Sequence, residues 1–250
     1  MHGPEISYRV CLAPVEEERP MGLLNHYTSS KDPLAAVKCS FLMHVLLLLG
    51  DSNLFHETRM ATCFHTGECT HSVALKLKAL LQPFYKHIFE FPLYSLQLGF
   101  KERHQLASLM RCMSLIHDNS RKVHKVNIHV MLWCGQSDSW YISGMKTDDE
   151  MRVEVKRILH GFLMYMKEMT YERAFVVNYI DNPGLTVNDS YKRVNGHIHQ
   201  SLMSGLRNST NVGCPVLLAS HYVDNTHFTV EGMNEVADAI HKTVKSCVPE

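Results

Sequence analysis

Val45-Leu46-Leu47-Leu48-Leu49-Gly50-Asp51-Ser52-Asn53 is an unbroken apolar run that stops at a small, polar, turn-forming group. A run of this kind reads as a buried parallel strand, and open α/β sheets bind their ligands where such strands end. A serine in that place, opening the next helix, exposes its hydroxyl and aims its backbone N–H at whatever sits in front of it. That is the geometry a nucleophile needs. The same Ser52 also reads as a plain helix cap, a common use of serine after a strand.

Near the other end of the chain stands Asp224-Asn225-Thr226-His227-Phe228-Thr229, just before a helical pattern. A serine hydroxyl is a weak nucleophile at neutral pH and needs a base, usually a histidine oriented by a third group. An aspartate three positions before a histidine in one loop supplies both. Alone the spacing is common; coupled to a strand-ending Gly-Asp-Ser it gains specificity.

Together these residues resemble the SGNH (GDSL-type) hydrolase family, with Gly50-Asp51-Ser52 matching its first block and Asp224-x-x-His227 its last. Phe228-Thr229-Val230-Glu231-Gly232, followed by an alanine-containing helix, resembles the family's ending. The resemblance covers about residues 41–245. It implies a five-stranded, mostly parallel, flavodoxin-like sheet in a three-layer α/β/α sandwich. It also implies Ser52 as nucleophile, His227 as base and Asp224 as the group that orients it.

The oxyanion would be met by the backbone N–H groups of Ser52 and Gly99, glycine leaving room for close approach; a plain turn glycine is the other reading of Gly99. The family's third block, Gly-x-Asn-Asp, falls on Gly135-Gln136-Ser137-Asp138, so Ser137 stands where asparagine is expected. Loss of one oxyanion donor costs a hydrolase about 2.7–4 kcal/mol, or roughly 10²–10³ in turnover. A serine hydroxyl still donates but is shorter, so a partial loss is expected. Two functions follow: a serine esterase acting on short-chain or O-acetyl esters, or a catalytically weak or inactive module that binds an acylated or glycosylated partner. Neither needs a metal or an organic cofactor.

Composition bounds the rest. In 250 residues, 45% hydrophobic and 20% charged, there is room for one α/β domain with a sizeable core or for two small ones, and no shift in composition marks a second. A formal charge of zero argues against nucleic acid or an anionic membrane as partner. The apolar stretch Phe41–Leu49 is too short to span a bilayer. Met1-His2-Gly3-Pro4-Glu5 lacks the pattern of a signal peptide, so a cytoplasmic setting with reduced thiols is expected. Cys63-x-His65-x₃-Cys69-x-His71 invites a metal reading, but the spacing matches no familiar structural zinc site.

Residues 1–40 read as an amino-terminal arm, with a short edge strand at Ser7–Leu12, and 41–250 as the hydrolase-like domain. Periodicity places further strands at 43–49, 91–98, 126–134, 174–180 and 214–220. Helices are expected over 72–84 and 101–121, from Thr147-Asp148-Asp149-Glu150 (a capping box), from about Thr186 after an Asp181-Asn182-Pro183-Gly184 turn, and after Thr229. Trp133, Trp140 and Tyr141 flank the third block, either as a sugar-stacking surface or as core and rim aromatics.

Overall fold

A computed structural model describes residues 42–61, 68–99, 102–108, 111, 125–145, 147–180, 189–224 and 226–248. The amino-terminal arm, the 181–184 turn and most of the helix expected at 101–121 lie outside these residues, as do positions 63–67 of the cysteine–histidine cluster.

The sheet is built on β1 (Leu42–Gly50). It pairs in parallel with β4 (His87–Pro92) on one side and β5 (Lys125–Trp133) on the other. Beyond β5 come β6 (Arg173–Val177) and β7 (Ser209–Val212), again parallel, giving the order β4-β1-β5-β6-β7. Without the separate antiparallel hairpin of β2 (Thr58–Ala61) and β3 (Glu68–His71), this is the 2-1-3-4-5 order of a flavodoxin-like sheet.

A strand paired on both sides turns alternate side chains to two faces, so both must be apolar if helices cover both. Val45, Leu47 and Leu49 pack with Ile128, Val130, Leu132, Ala174 and Val176 against α4 (Asp148–Glu168) and α5 (Asp189–Gly205). Leu46 and Leu48 pack with Met131, Trp133, Phe175 and Val177 against α2 (Val73–Leu81) and α6 (Val230–Cys247). The result is the three-layer α/β/α sandwich. Helix starts follow local chemistry: Thr147 and Glu150 form the expected capping box, and Thr229 caps α6 through the Gly232 N–H.

Two strands lie elsewhere than periodicity places them. The second runs over His87–Pro92 rather than 91–98, because Pro92 has no N–H to carry the ladder on. Leu93, Leu96 and Leu98 are buried in the loop that follows, which mimics a strand in the sequence. The last strand is Ser209–Val212 rather than 214–220. Pro215 again removes a donor, and of the apolar run behind it Leu217 is buried while Val216 and Leu218 face solvent. Helix α3 (Gln136–Ile142), which begins inside the third block, was not expected; Gly135 before it holds φ at 104°, a left-handed value suited to glycine.

The carboxyl ends of β1 and β5 are stitched together. The Asp51 N–H donates to the Trp133 carbonyl (3.0 Å), and the Asp51 carboxylate accepts from the N–H of Asn53 (3.0 Å) and more weakly from that of Gln136 (3.4 Å). Asp51 thereby caps α1 (Ser52–Phe55) while only 1% exposed. Burial pushes its carboxyl up to about 6, against the pull of those two N–H groups; the neighbouring Asp138 adds to the rise.

Two outcomes follow for this junction. A Cβ on Gly50 would lie 2.6 Å from Leu54 Cδ2 and 2.9 Å from the Trp133 carbonyl oxygen. Gly50→Ala is therefore expected to cost roughly 1–3 kcal/mol in urea unfolding, and a neutral result would contradict the packing. For Asp51, a folded-state pKa above the unfolded one means that stability is undiminished below about pH 4, falls as pH rises and levels off above the folded value. Asp51→Asn should therefore gain on the parent across that window by on the order of 2–3 kcal/mol. A difference between the two proteins that stays constant with pH would refute the assignment.

Candidate active site

Ser52 is the first residue of α1, half-buried, directly after the strand-ending Gly50-Asp51. Its carbonyl accepts the N–H of His56 (2.7 Å), closing the single turn of α1. The turn is short because His56 leaves helical geometry at φ −62°, ψ 124°.

Asp224 and His227 sit in the loop between the 3-10 turn Ala219–His221 and α6. One carboxylate oxygen of Asp224 accepts from the backbone N–H groups of Thr226 and His227 (2.7 Å each); the other pairs with His227 Nδ1 at 2.7 Å. With Nδ1–H given to the carboxylate, Nε2 is left as the basic nitrogen. Burial acts to raise the Asp224 carboxyl, but the hydrogen bonds from the His227 ring and from the two N–H groups outweigh it and hold the group well below the usual carboxylate range. The acid that orients the ring is therefore held in its ionised form.

The loop is closed on itself around His227 and anchored to the sheet through Phe228. The Val223 N–H donates to the His227 carbonyl, and Tyr222 bridges Phe228. Phe228, buried, packs against Trp133 at the end of β5 (ring centroids 5.9 Å apart) and against Tyr222 (5.2 Å). His227 meets the residue that closes α1: its ring stacks on that of His56, with centroids 4.0 Å apart and planes 22° from each other. The structure thus brings the Asp224/His227 loop against the turn that begins with Ser52. Ser52 Oγ and the imidazole are not hydrogen-bonded to each other.

Of the remaining predicted residues, Ser137 follows directly on the end of β5, whereas Gly99 does not close a strand: β4 stops at Pro92, and Gly99 lies exposed at the far end of the loop behind it. Ser137 is exposed on the first turn of α3, one residue after Gln136, whose N–H reaches Asp51. Gly99 ends the loop after β4, and its carbonyl accepts from the Arg103 N–H. That loop is held to α3 by Asp138, which accepts from Ser95 Oγ (2.7 Å) and the Leu96 N–H (2.8 Å). Burial raises the Asp138 carboxyl, partly countered by those two bonds. Asp138 therefore joins the loop of Gly99 to the helix of Ser137, and Asp51 joins that helix to Ser52.

Trp133 is a core residue, whereas Trp140 and Tyr141 are exposed on α3, with Trp140 leaning on Tyr191 (centroids 4.5 Å apart). Among the described residues no group of three or more histidine, cysteine, aspartate or glutamate side chains is arranged to hold a metal ion. Cys134, beside Asp51, is a poor nucleophile, since burial pushes its thiol far up and the charges of Asp51 and Asp138 add to the effect. Sequence reasoning missed His56. The signal was its position four residues after Ser52, where its N–H closes the single turn on the Ser52 carbonyl.

No family model matches the sequence, and no curated protein matches it. Solved structures do. A variant of Axe2, an acetyl-xylooligosaccharide esterase from Geobacillus stearothermophilus, superposes with a TM-score of 0.50 at 15% identity, covering 80% of this chain and 93% of its own. A putative GDSL-like lipase from Parabacteroides merdae gives 0.49 at 13% identity, with 82% and 98% covered. The Axe2 likeness carries the comparison and, with the strand order and the two-faced β1, shows that this chain has the fold of the SGNH (GDSL-type) hydrolases.

Proposed function

We propose that the protein is a serine esterase in which Ser52 is the nucleophile, His227 the general base and Asp224 its orienting acid. The observation that carries this reading is the contact between the Asp224-bound imidazole and the one-turn helix that Ser52 opens. Ser52 Oγ attacks the ester carbonyl as His227 Nε2 takes its proton. The tetrahedral oxyanion is met by the N–H groups of Ser52 and Gly99, with Ser137 as third donor. His227 then protonates the departing alcohol, and the same base draws a proton from water as it attacks the acyl-Ser52 carbonyl. The free acid leaves, and Ser52 regains its hydrogen. Hydrogen bonds of this kind are often long in unliganded enzymes and tighten around the substrate, which accommodates the unbonded Ser52 hydroxyl.

For substrate class, the reading is a short-chain or O-acetyl ester. Tyr94, Trp140 and Tyr141 are exposed in the segments that follow β4 and β5, and flat aromatic faces at such a rim suit a sugar ring. The Axe2 enzyme acts on acetylated xylooligosaccharides, which accords with that choice. Among the described residues no helix is long and apolar enough to cross a membrane.

The second reading, a module that binds an acylated or glycosylated partner with little turnover, draws on the exposed Ser137 at the asparagine position. A fluorophosphonate probe separates the two. The esterase reading expects a stoichiometric adduct on Ser52, absent in Ser52→Ala, and a fall in kcat of at least about 10³-fold in that variant on nitrophenyl acetate. Folded wild-type protein that takes no adduct would rule it out. Ser137→Asn restores the longer donor and is expected to raise kcat by about tenfold or more, up to the 10²–10³ that such a donor contributes. An unchanged or lower kcat would remove residue 137 from the oxyanion site.

A further inference from the structure

His56 has no part in the chemistry above, yet it makes the closest ring contact in the site. Its backbone N–H closes the turn on the Ser52 carbonyl at 2.7 Å, and its ring lies on the face of His227 at 4.0 Å between centroids. Asp224 grips the same imidazole at one edge, through Nδ1 at 2.7 Å. An edge hydrogen bond fixes one nitrogen but leaves the ring plane free to tilt about the N–H···O axis. A flat neighbour on one face removes that freedom. Because the neighbour rides on the turn that starts at Ser52, hydroxyl and imidazole are referred to one short piece of backbone rather than to two independent loops.

We propose that His56 is the positioning residue for the general base: its ring backs the His227 imidazole and sets the plane in which Nε2 faces Ser52. This rests on the reading of His227 as base. The charges around the pair are compatible with it. Burial lowers the His56 imidazole, the facing His227 lowers it further, and Asp224 and the adjacent Glu57 act in the opposite sense without overcoming them. Two stacked imidazoles cannot readily both be cations, and His227 has the carboxylate. The proton taken from Ser52 thus resides on His227, against a neutral ring whose π face attracts it.

The test uses the full chain carrying His56→Phe, His56→Ala or His56→Arg, with the His227 ring followed by NMR in isotopically labelled protein and kcat and KM measured on a short nitrophenyl ester. His56→Phe keeps a flat neutral face and should retain kcat within about threefold, with the titration of His227 unmoved. His56→Ala should lower kcat about tenfold or more at unchanged KM, since small misplacements of a catalytic group are costly, and should broaden the His227 Nδ1–H resonance by exchange. His56→Arg lays a permanent cation on the imidazole and should move the His227 midpoint, and the acid limb of the rate profile with it, down by about one pH unit.

The proposal fails if His56→Ala leaves both the Nδ1–H signal and kcat as in the wild type, or if a folded His56→Phe loses as much as His56→Ala. It fails equally if the His227 midpoint ignores the arginine. Absence of any ester turnover or Ser52 adduct in the wild type would instead sink the esterase reading, and the NMR comparison among the variants would still decide whether His56 holds the ring.

Discussion

The structure depends on one strand being paired on both sides and covered on both faces. Val45 to Leu49 have no exposed surface, and each backbone position of that run is matched to β4 and to β5. Burial of five such side chains contributes on the order of 1.5–3 kcal/mol each, and no charge can be placed among them without a partner. Chemistry is thereby confined to the strand ends. At the carboxyl end the polar residues Asp51 and Ser52 arrive together, and the parallel arrangement puts the ends of β4 and β5 beside them.

What gathers there is organised by two buried carboxylates. Asp51 links the turn of Ser52 to the start of α3, and Asp138 links α3 to the loop after β4. Asp51 accepts N–H groups from the first turns of α1 and α3, and Asp138 accepts the Leu96 N–H and the Ser95 hydroxyl, so their burial is compensated by hydrogen bonds. Burial nevertheless raises both pKa values, whereas Asp224, half exposed and bonded to His227, is held low. Three aspartates in one region thus divide into two that hold the scaffold and one that holds an imidazole, and their environments make the division. Within the central strand β5 a buried histidine has the ordinary fate: His129 meets the Tyr85 hydroxyl at 2.7 Å, and burial pushes it down to about 4.

Much of this was legible in the sequence, because the signals were local. The run of β1, the capping box of α4, the Thr229 cap and the apolar stripe of α4 each depend on neighbours within a few residues. Misplacement occurred where an apolar run was buried for another reason. Leu93, Leu96 and Leu98 are core residues on a loop held by Asp138, and no periodicity in that segment reveals a carboxylate more than forty positions away. Likewise Ser209–Val212 is polar for a strand because it lies at the sheet edge, while the apolar Val216 and Leu218 behind it face solvent.

By itself the sequence determined the fold class and named Ser52, Asp224 and His227, since a strand-ending Gly-Asp-Ser and an Asp-x-x-His loop are short patterns whose chemistry is carried by adjacent residues. Only the tertiary structure decided that His56 lies against His227, that Asp51 and not Ser52 caps α1 while joining β5, and that Asp138 ties two blocks together. Those are contacts between segments far apart in the chain. They arise from the order in which parallel strands sit side by side, and sequence spacing does not encode that order.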